Sequence, residues 1–133
     1  MRYLLDSNIC VYALKNRPPK VLRRLEVAGR ATVAVSVITV LELRQGANKS
    51  QRPEVNHAAL DDLLEPITIL PFEETDALVA AQVRASLERL GLPIGDFDSL
   101  IAAHALARDL IVVTNNVDEF ERVPNLRIEN WAV

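Results

Sequence analysis

The sequence holds a single cysteine, Cys10, among 133 residues, which excludes an intrachain disulfide. Cys10 sits among Ile9, Val11 and Tyr12 and reads as buried apolar filler rather than a nucleophile. Long hydrophobic runs are missing too. The most apolar stretches, such as Ala31 to Val37 and Leu110 to Val113, fall far short of the roughly 20 residues that span a bilayer, so no membrane helix is expected. At the start, Met1-Arg2 leads into a short run broken by Asp6 rather than the apolar segment of a signal peptide, and the expected location is the cytoplasm. There is no internal repeat and no low-complexity tract. Gly-x-Gly-x-x-Gly and Gly-x4-Gly-Lys-Ser/Thr loops are absent, which argues against dinucleotide and nucleoside-triphosphate binders.

What is present is ordinary globular material, 50% hydrophobic and 25% charged, at a length that suits one domain over residues 1–133 with a single core. The net charge of −3 hides an uneven distribution. Residues 1–52 carry ten Lys or Arg against Asp6, Glu26 and Glu42, a balance of +7, whereas residues 53–133 stand at −10.

Apolar runs of strand length alternate with segments of helical period, which predicts an α/β fold with a mainly parallel sheet. Strands are expected over Arg2 to Leu5, Ala31 to Val35, Ile67 to Leu70 and Ile111 to Val113, with a short one near Arg127 to Glu129. Ser7 reads as the cap of a first helix stopped by Pro18 and Pro19, and a second helix runs from Pro19 to Ala28 before Gly29. Ser36 reads as the cap of a third, from Val37 to Leu43, ending near Gly46. Leu60, Leu63 and Leu64 mark a short amphipathic helix, and Ala80, Val83, Leu87 and Leu90 one face of a long one. Asp98 reads as the cap of the last.

Four acids stand beside strongly apolar segments: Asp6, Glu42, Asp96 and Asp98. Asp6 ends a strand, and ligands of parallel sheets bind at the carboxyl ends of strands. Carboxylates converging there repel one another, and a hard dication with oxygen ligands is the simplest neutraliser. Such an ion lowers the pKa of bound water and aligns it on a phosphodiester. Taken singly, each acid also has an ordinary reading: Asp6 and Asp98 as helix caps, Glu42 as a solvated helix position, Asp96 as a turn residue. His104, on an Ala-rich helix face, reads as a satisfied core histidine, and His57 as a solvated one.

The set also has an order. Leu5-Asp6-Ser7-Asn8-Ile9, the Ser36 to Leu43 segment, Pro93-Ile94-Gly95-Asp96-Phe97-Asp98-Ser99-Leu100-Ile101-Ala102-Ala103-His104-Ala105, and Val113-Thr114-Asn115-Asn116 leading to Glu119-Phe120 span nearly the whole chain. In this order the sequence resembles the VapC branch of the PIN-domain ribonucleases. The resemblance implies a three-layer sandwich, a short mainly parallel sheet flanked by helices. It implies Asp6, Glu42 and Asp98 as an acidic triad for Mg²⁺ or Mn²⁺, with Glu42 acting through water, and Asp96 in support. The family's further acid, in a Thr-x-Asp pattern, is Asn116 here, an amide that orients water or phosphate without adding charge.

By the same resemblance the chain is a toxin that cleaves an RNA of translation, initiator tRNA in the anticodon region first and ribosomal RNA second. Its partners would be a VapB-type antitoxin and a second copy of itself, the antitoxin covering the groove by the first helices and placing a basic side chain in the acidic site. Lys15, Arg17, Lys20, Arg23 and Arg24 are the candidate phosphate contacts. A catalytically silent RNA-binding or scaffold domain is the alternative, against which stand the intact acids. A receiver domain fails because Ile67 to Leu70 is followed by Pro71 and Phe72 where a phosphoacceptor Asp is required.

Overall fold

The computed structural model describes residues 1–133. Five strands form one parallel sheet: β1 (Tyr3–Leu5), β2 (Val33–Ser36), β3 (Thr68–Leu70), β4 (Ile111–Val113) and β5 (Ile128–Glu129). Their order is β3-β2-β1-β4-β5, with β1 central and paired to β2 and β4. The chain steps outward from β1 to β2 and β3, then crosses back to β4 and β5 on the other side of β1, which makes the carboxyl end of β1 the switch point where a parallel sheet opens a crevice.

Alternation along the strands divides the interior into two cores. Leu5, Val33, Val35 and Val113 face one core with Ile9, Val21, Leu25, Leu43, Leu60 and Trp131. Leu4, Ala34 and Val112 face the other with Ala80, Val83, Leu87, Ile101, Ala105 and Phe120. Strands so short and buried on both faces read as unbroken apolar runs, which is why Leu4-Leu5 and Ile111-Val112-Val113 suit this place. The first core is roofed by α1 (Ser7–Lys15), α2 (Pro19–Ala28), α3 (Val37–Asn48) and α4 (Pro53–Leu64), the second by α5 (Glu74–Arg89) and α6 (Asp96–Arg108). The expected α/β sandwich is therefore the one found. Cys10 is fully buried, as expected of filler. No helix is long and apolar enough to cross a membrane.

Several boundaries differ from the sequence reading. Asp6, not Ser7, caps α1, its side chain accepting from the Ile9 N–H. Residues Arg30–Thr32 form a 3-10 turn, so β2 starts at Val33. Gly46 does not end α3, which continues to Asn48 because nothing there demands a left-handed backbone. The helix around Leu60 begins at Pro53, whose fixed φ suits a first helical position. His57 on that helix is not free in solvent. Its ring nitrogens meet Arg44 Nη1 at 3.0 Å and Asn48 Oδ1 at 2.7 Å. Ser36 caps α3 as expected, its Oγ accepting from Ile38 N at 3.0 Å.

Candidate active site

Asp6 leaves β1 at the switch point, 4% exposed, with both carboxylate oxygens held. Oδ1 accepts from Ile9 N at 2.9 Å and Oδ2 from Thr114 Oγ1 at 2.5 Å. Capping and a site role thus coincide in one side chain. Burial pushes its pKa up to about 6 against those hydrogen bonds, and the charge of Glu42 adds to the rise. Thr114 directly follows β4, beside β1, and its hydroxyl also accepts from Asn116 N at 2.9 Å. One hydroxyl therefore fixes Asp6 to the loop that carries Asn116.

Glu42 comes from α3. Its Oε1 accepts from Ser7 Oγ at 2.7 Å, so the residue expected to cap α1 instead orients an acid. Asp98 comes from α6, three residues past the Gly95 cap rather than at the cap itself. Its pKa is pushed up to about 7, first by burial, then by the negative charges of Glu119, Asp6 and Glu42. The three expected acids therefore sense one another, although they come from the end of β1, from α3 and from α6.

A fourth acid joins them. A one-turn helix, α7 (Val117–Phe120), brings Glu119 to the site. Glu119 accepts from Asn116 Nδ2 at 2.5 Å and from the backbone N–H of Gly95, and this support pulls its carboxyl below the usual range. Asn116 Nδ2 also lies 3.4 Å from Asp98 Oδ2, so the amide bridges two carboxylates. A Cβ at Gly95 would stand 3.4 Å from Glu119 Oε1 and 3.6 Å from Asp98 Oδ2, in ordinary contact with both acids, which places this backbone against the pair. Sequence reading gave Glu119 and Thr114 no role, and Ser7 only that of a helix cap. The available signal for Glu119 was its spacing, three residues beyond Asn116.

Not every expected residue arrives. Asp96 is 84% exposed and paired with Arg84 Nη2 at 2.9 Å. Among the cations, Lys15 lines a groove of about 480 Å³ together with Ser7, Val11, Glu42, Leu43, Ala47 and Leu60. Arg17, Lys20 and Arg23 are exposed and make no ion pair. Arg24 does not belong with them. It pairs with Glu129 Oε1 at 3.2 Å and lies 5.5 Å over the Trp131 ring.

Asp6, Glu42, Asp98 and Glu119 make no salt bridge. An all-oxygen donor set with mutual repulsion and no cationic side chain within pairing distance fits a hard divalent cation. No three His, Cys, Asp or Glu side chains stand together at ligating distance, so an ion here would take direct contacts from at most two of these acids.

Comparison with known proteins identifies the family. The PIN-domain family model matches residues 3–126. The chain is 46% identical over 133 residues to Ribonuclease VapC2 of Haemophilus influenzae, covering 99% of each. It is 42% identical over 132 residues to the tRNA(fMet)-specific endonuclease VapC of Shigella flexneri, again covering 99% of each. The solved VapBC2 complex of Rickettsia felis, bound to a DNA fragment from its promoter, contains a chain matching with TM-score 0.93 at 42% identity, over 98% of this chain and 99% of that one. With its acids gathered at the switch point of a five-stranded parallel sheet, the chain belongs to the PIN-domain family and, within it, to the VapC ribonucleases.

Proposed function

We propose that the protein is the toxin of a type II toxin–antitoxin pair, acting in the cytoplasm as a Mg²⁺-dependent endoribonuclease, with Mn²⁺ able to substitute. The observation that carries this reading is the convergence of Asp6, Glu42, Asp98 and Glu119 on one rim with no salt bridge to any of them. Asp6 and Asp98 would hold the ion directly. Glu42, oriented by Ser7, would act through a bound water, and Glu119 takes the place of the acid that Asn116 lacks. When bound, the ion would lower the pKa of a water and stabilise charge on the leaving oxygen. The chain's own part is to fix the carboxylates. Thr114 locks Asp6, Ser7 turns Glu42, and Asn116 spaces Asp98 from Glu119. Lys15, Arg17, Lys20 and Arg23 would hold phosphates on either side of the cut.

Initiator tRNA is the first substrate, because a relative 42% identical to this chain over nearly its full length is named a tRNA(fMet)-specific endonuclease, and the anticodon region is the proposed place of the cut. Ribosomal RNA is the second. A VapB-type antitoxin would cover the groove beside Glu42 and Lys15, and toxin dimers would complete the hetero-oligomer. Incubating the purified protein with initiator tRNA and with ribosomal RNA, with Mg²⁺ or with EDTA, and mapping the new ends tests the reading. A Mg²⁺-dependent cut that Asp98→Asn abolishes is expected. Cleavage that persists in EDTA or in Asp98→Asn refutes the metal site. No cleavage of either RNA, despite a bound metal, favours the silent domain.

A further inference from the structure

Glu42 and Asp98 lie on different helices, so something must set the distance between them. Ser36 precedes α3, and Glu42 follows it by six residues; Asp98 lies in the first turn of α6, and His104 follows it by six. His104 Nδ1 meets Ser36 Oγ at 2.9 Å, and Asp98 feels the charge of Glu42. The His104–Ser36 hydrogen bond is thus a buried rung between the two helices, and at 1.5 Å of rise per residue it stands about 9 Å along α3 from Glu42 and about 9 Å along α6 from Asp98.

The buried rung is braced from behind. His104 is fully buried, its ring edge against Phe72 with centroids 5.2 Å apart. Its Nε2 makes no hydrogen bond and stands 3.6 Å from Asp76 Oδ2. Asp76, also fully buried, accepts from Glu73 N at 2.8 Å, Arg108 Nε at 3.1 Å and Arg108 Nη2 at 2.9 Å. A nitrogen facing a carboxylate so held carries the proton, which leaves Nδ1 as acceptor and makes Ser36 Oγ–H the donor. That same Ser36 oxygen accepts the Ile38 N–H and caps α3. The order Asp76, His104, Ser36, α3 is thus one directed chain from α5 through α6 to the helix of Glu42. Burial also lowers the pKa of the imidazole and keeps the acceptor free of a proton.

We propose that His104 is a positioning residue, which, by accepting the Ser36 hydroxyl with its far side turned to the Asp76 carboxylate, sets the spacing of the helices that carry Glu42 and Asp98 and so the geometry of the metal-binding acids. The proposal rests on the metal-dependent ribonuclease reading above. It gives a use to a buried imidazole that reaction chemistry at the rim leaves untouched.

The test compares wild type with His104→Leu, His104→Asn and, as a control destabilised elsewhere in the core, Leu87→Ala. Mn²⁺ affinity is read by calorimetry without RNA, and cleavage at saturating initiator tRNA. His104→Leu is expected to weaken Mn²⁺ binding about 5- to 10-fold and to lower kcat about 10- to 100-fold with KM unchanged, as misplacement of reacting groups by about 1 Å does. Asn places an acceptor where Nδ1 stood, so His104→Asn should recover to within about threefold of wild type in both. Leu87→Ala should melt lower while binding Mn²⁺ as wild type. If His104→Leu does not fold, His104→Gln, which reaches toward Asp76 but not Ser36, takes its place against His104→Asn. Equal Mn²⁺ affinity and kcat in His104→Leu and wild type overturns the positioning role alone. So does an Asn variant no better than Leu, or an equal loss in Leu87→Ala. A wild type that neither binds Mn²⁺ nor cuts RNA overturns both readings.

Discussion

Replacing Asp76 by Asn removes one charge from the centre of the molecule without opening a cavity. The carboxylate is fully buried and accepts three hydrogen bonds, two of them from Arg108. An amide keeps one acceptor oxygen and turns an N–H₂ toward an N–H donor. Breaking a buried ion pair on one side costs about 3–5 kcal/mol. Arg108 is 29% exposed and keeps the Pro71 carbonyl at 3.3 Å, so it finds water and a second acceptor, which points to the lower end of that range. A loss of about 3 kcal/mol in a chain of this length lowers Tm by about 10 °C. The effect depends on pH with a definite sign. The Arg108 hydrogen bonds hold the Asp76 carboxyl below its usual range, so its contribution is fully present above the unfolded pKa of about 3.9 and is lost as pH falls through the folded value. Thermal melts of wild type and Asp76→Asn from pH 7 to pH 3 should show a large gap that narrows once pH drops below about 4. A gap under about 3 °C at pH 7, or one that stays constant down to pH 3, refutes the account.

Three other outcomes are expected. Mg²⁺ added at 100 times its Kd should stabilise wild type by about 2.7 kcal/mol, and Asp6→Asn or Asp98→Asn by clearly less, read as the shift of Tm with metal; equal shifts would place the ion elsewhere. Asn116→Asp sets a carboxylate against Glu119, so it should melt lower without metal and bind Mn²⁺ more tightly, whereas an unchanged titration excludes Asn116 from the site. Neutralising Arg17, Lys20 and Arg23 together should flatten the salt dependence of RNA binding by about 2 in log–log slope, while Arg24→Gln should leave the slope alone and lower Tm by loosening Trp131; the reverse pattern would refute the division.

The parts of the fold that obey local rules were legible. Asp6 after an apolar run, Ser36 before a helical period and Leu4-Leu5 as a buried strand needed only pattern and capping chemistry. Three acids were legible for the same reason, since each interrupts an apolar segment. Glu119 was not, because it reaches the site through a one-turn helix whose four residues carry no periodicity. Asp98 was expected at a cap and lies inside the helix because Gly95, whose N–H goes to Glu119, takes the cap position. Arg24 and Asp96 looked like their charged neighbours in sequence. Their partners, Glu129 and Arg84, are 105 and 12 residues away, which no local pattern encodes.

The hydrogen bond from Thr114 to Asp6 joins residues 108 apart, with β1 at the centre of the sheet and β4 beside it. On a ribosome the first strand emerges long before its neighbour. Until residues 111–119 are free to fold, Asp6 has no Thr114 to hold it and Glu119 cannot take its place beside Asn116 and Gly95. A chain paused before β4 emerges therefore has β1 and β2 available but lacks the hydroxyl that holds Asp6, and its acidic site is incomplete. Ribosome-bound chains stalled with residue 110 as the last one exposed should cut no RNA, and those stalled with the full chain exposed should; activity in the shorter ones would show that the site closes without β4.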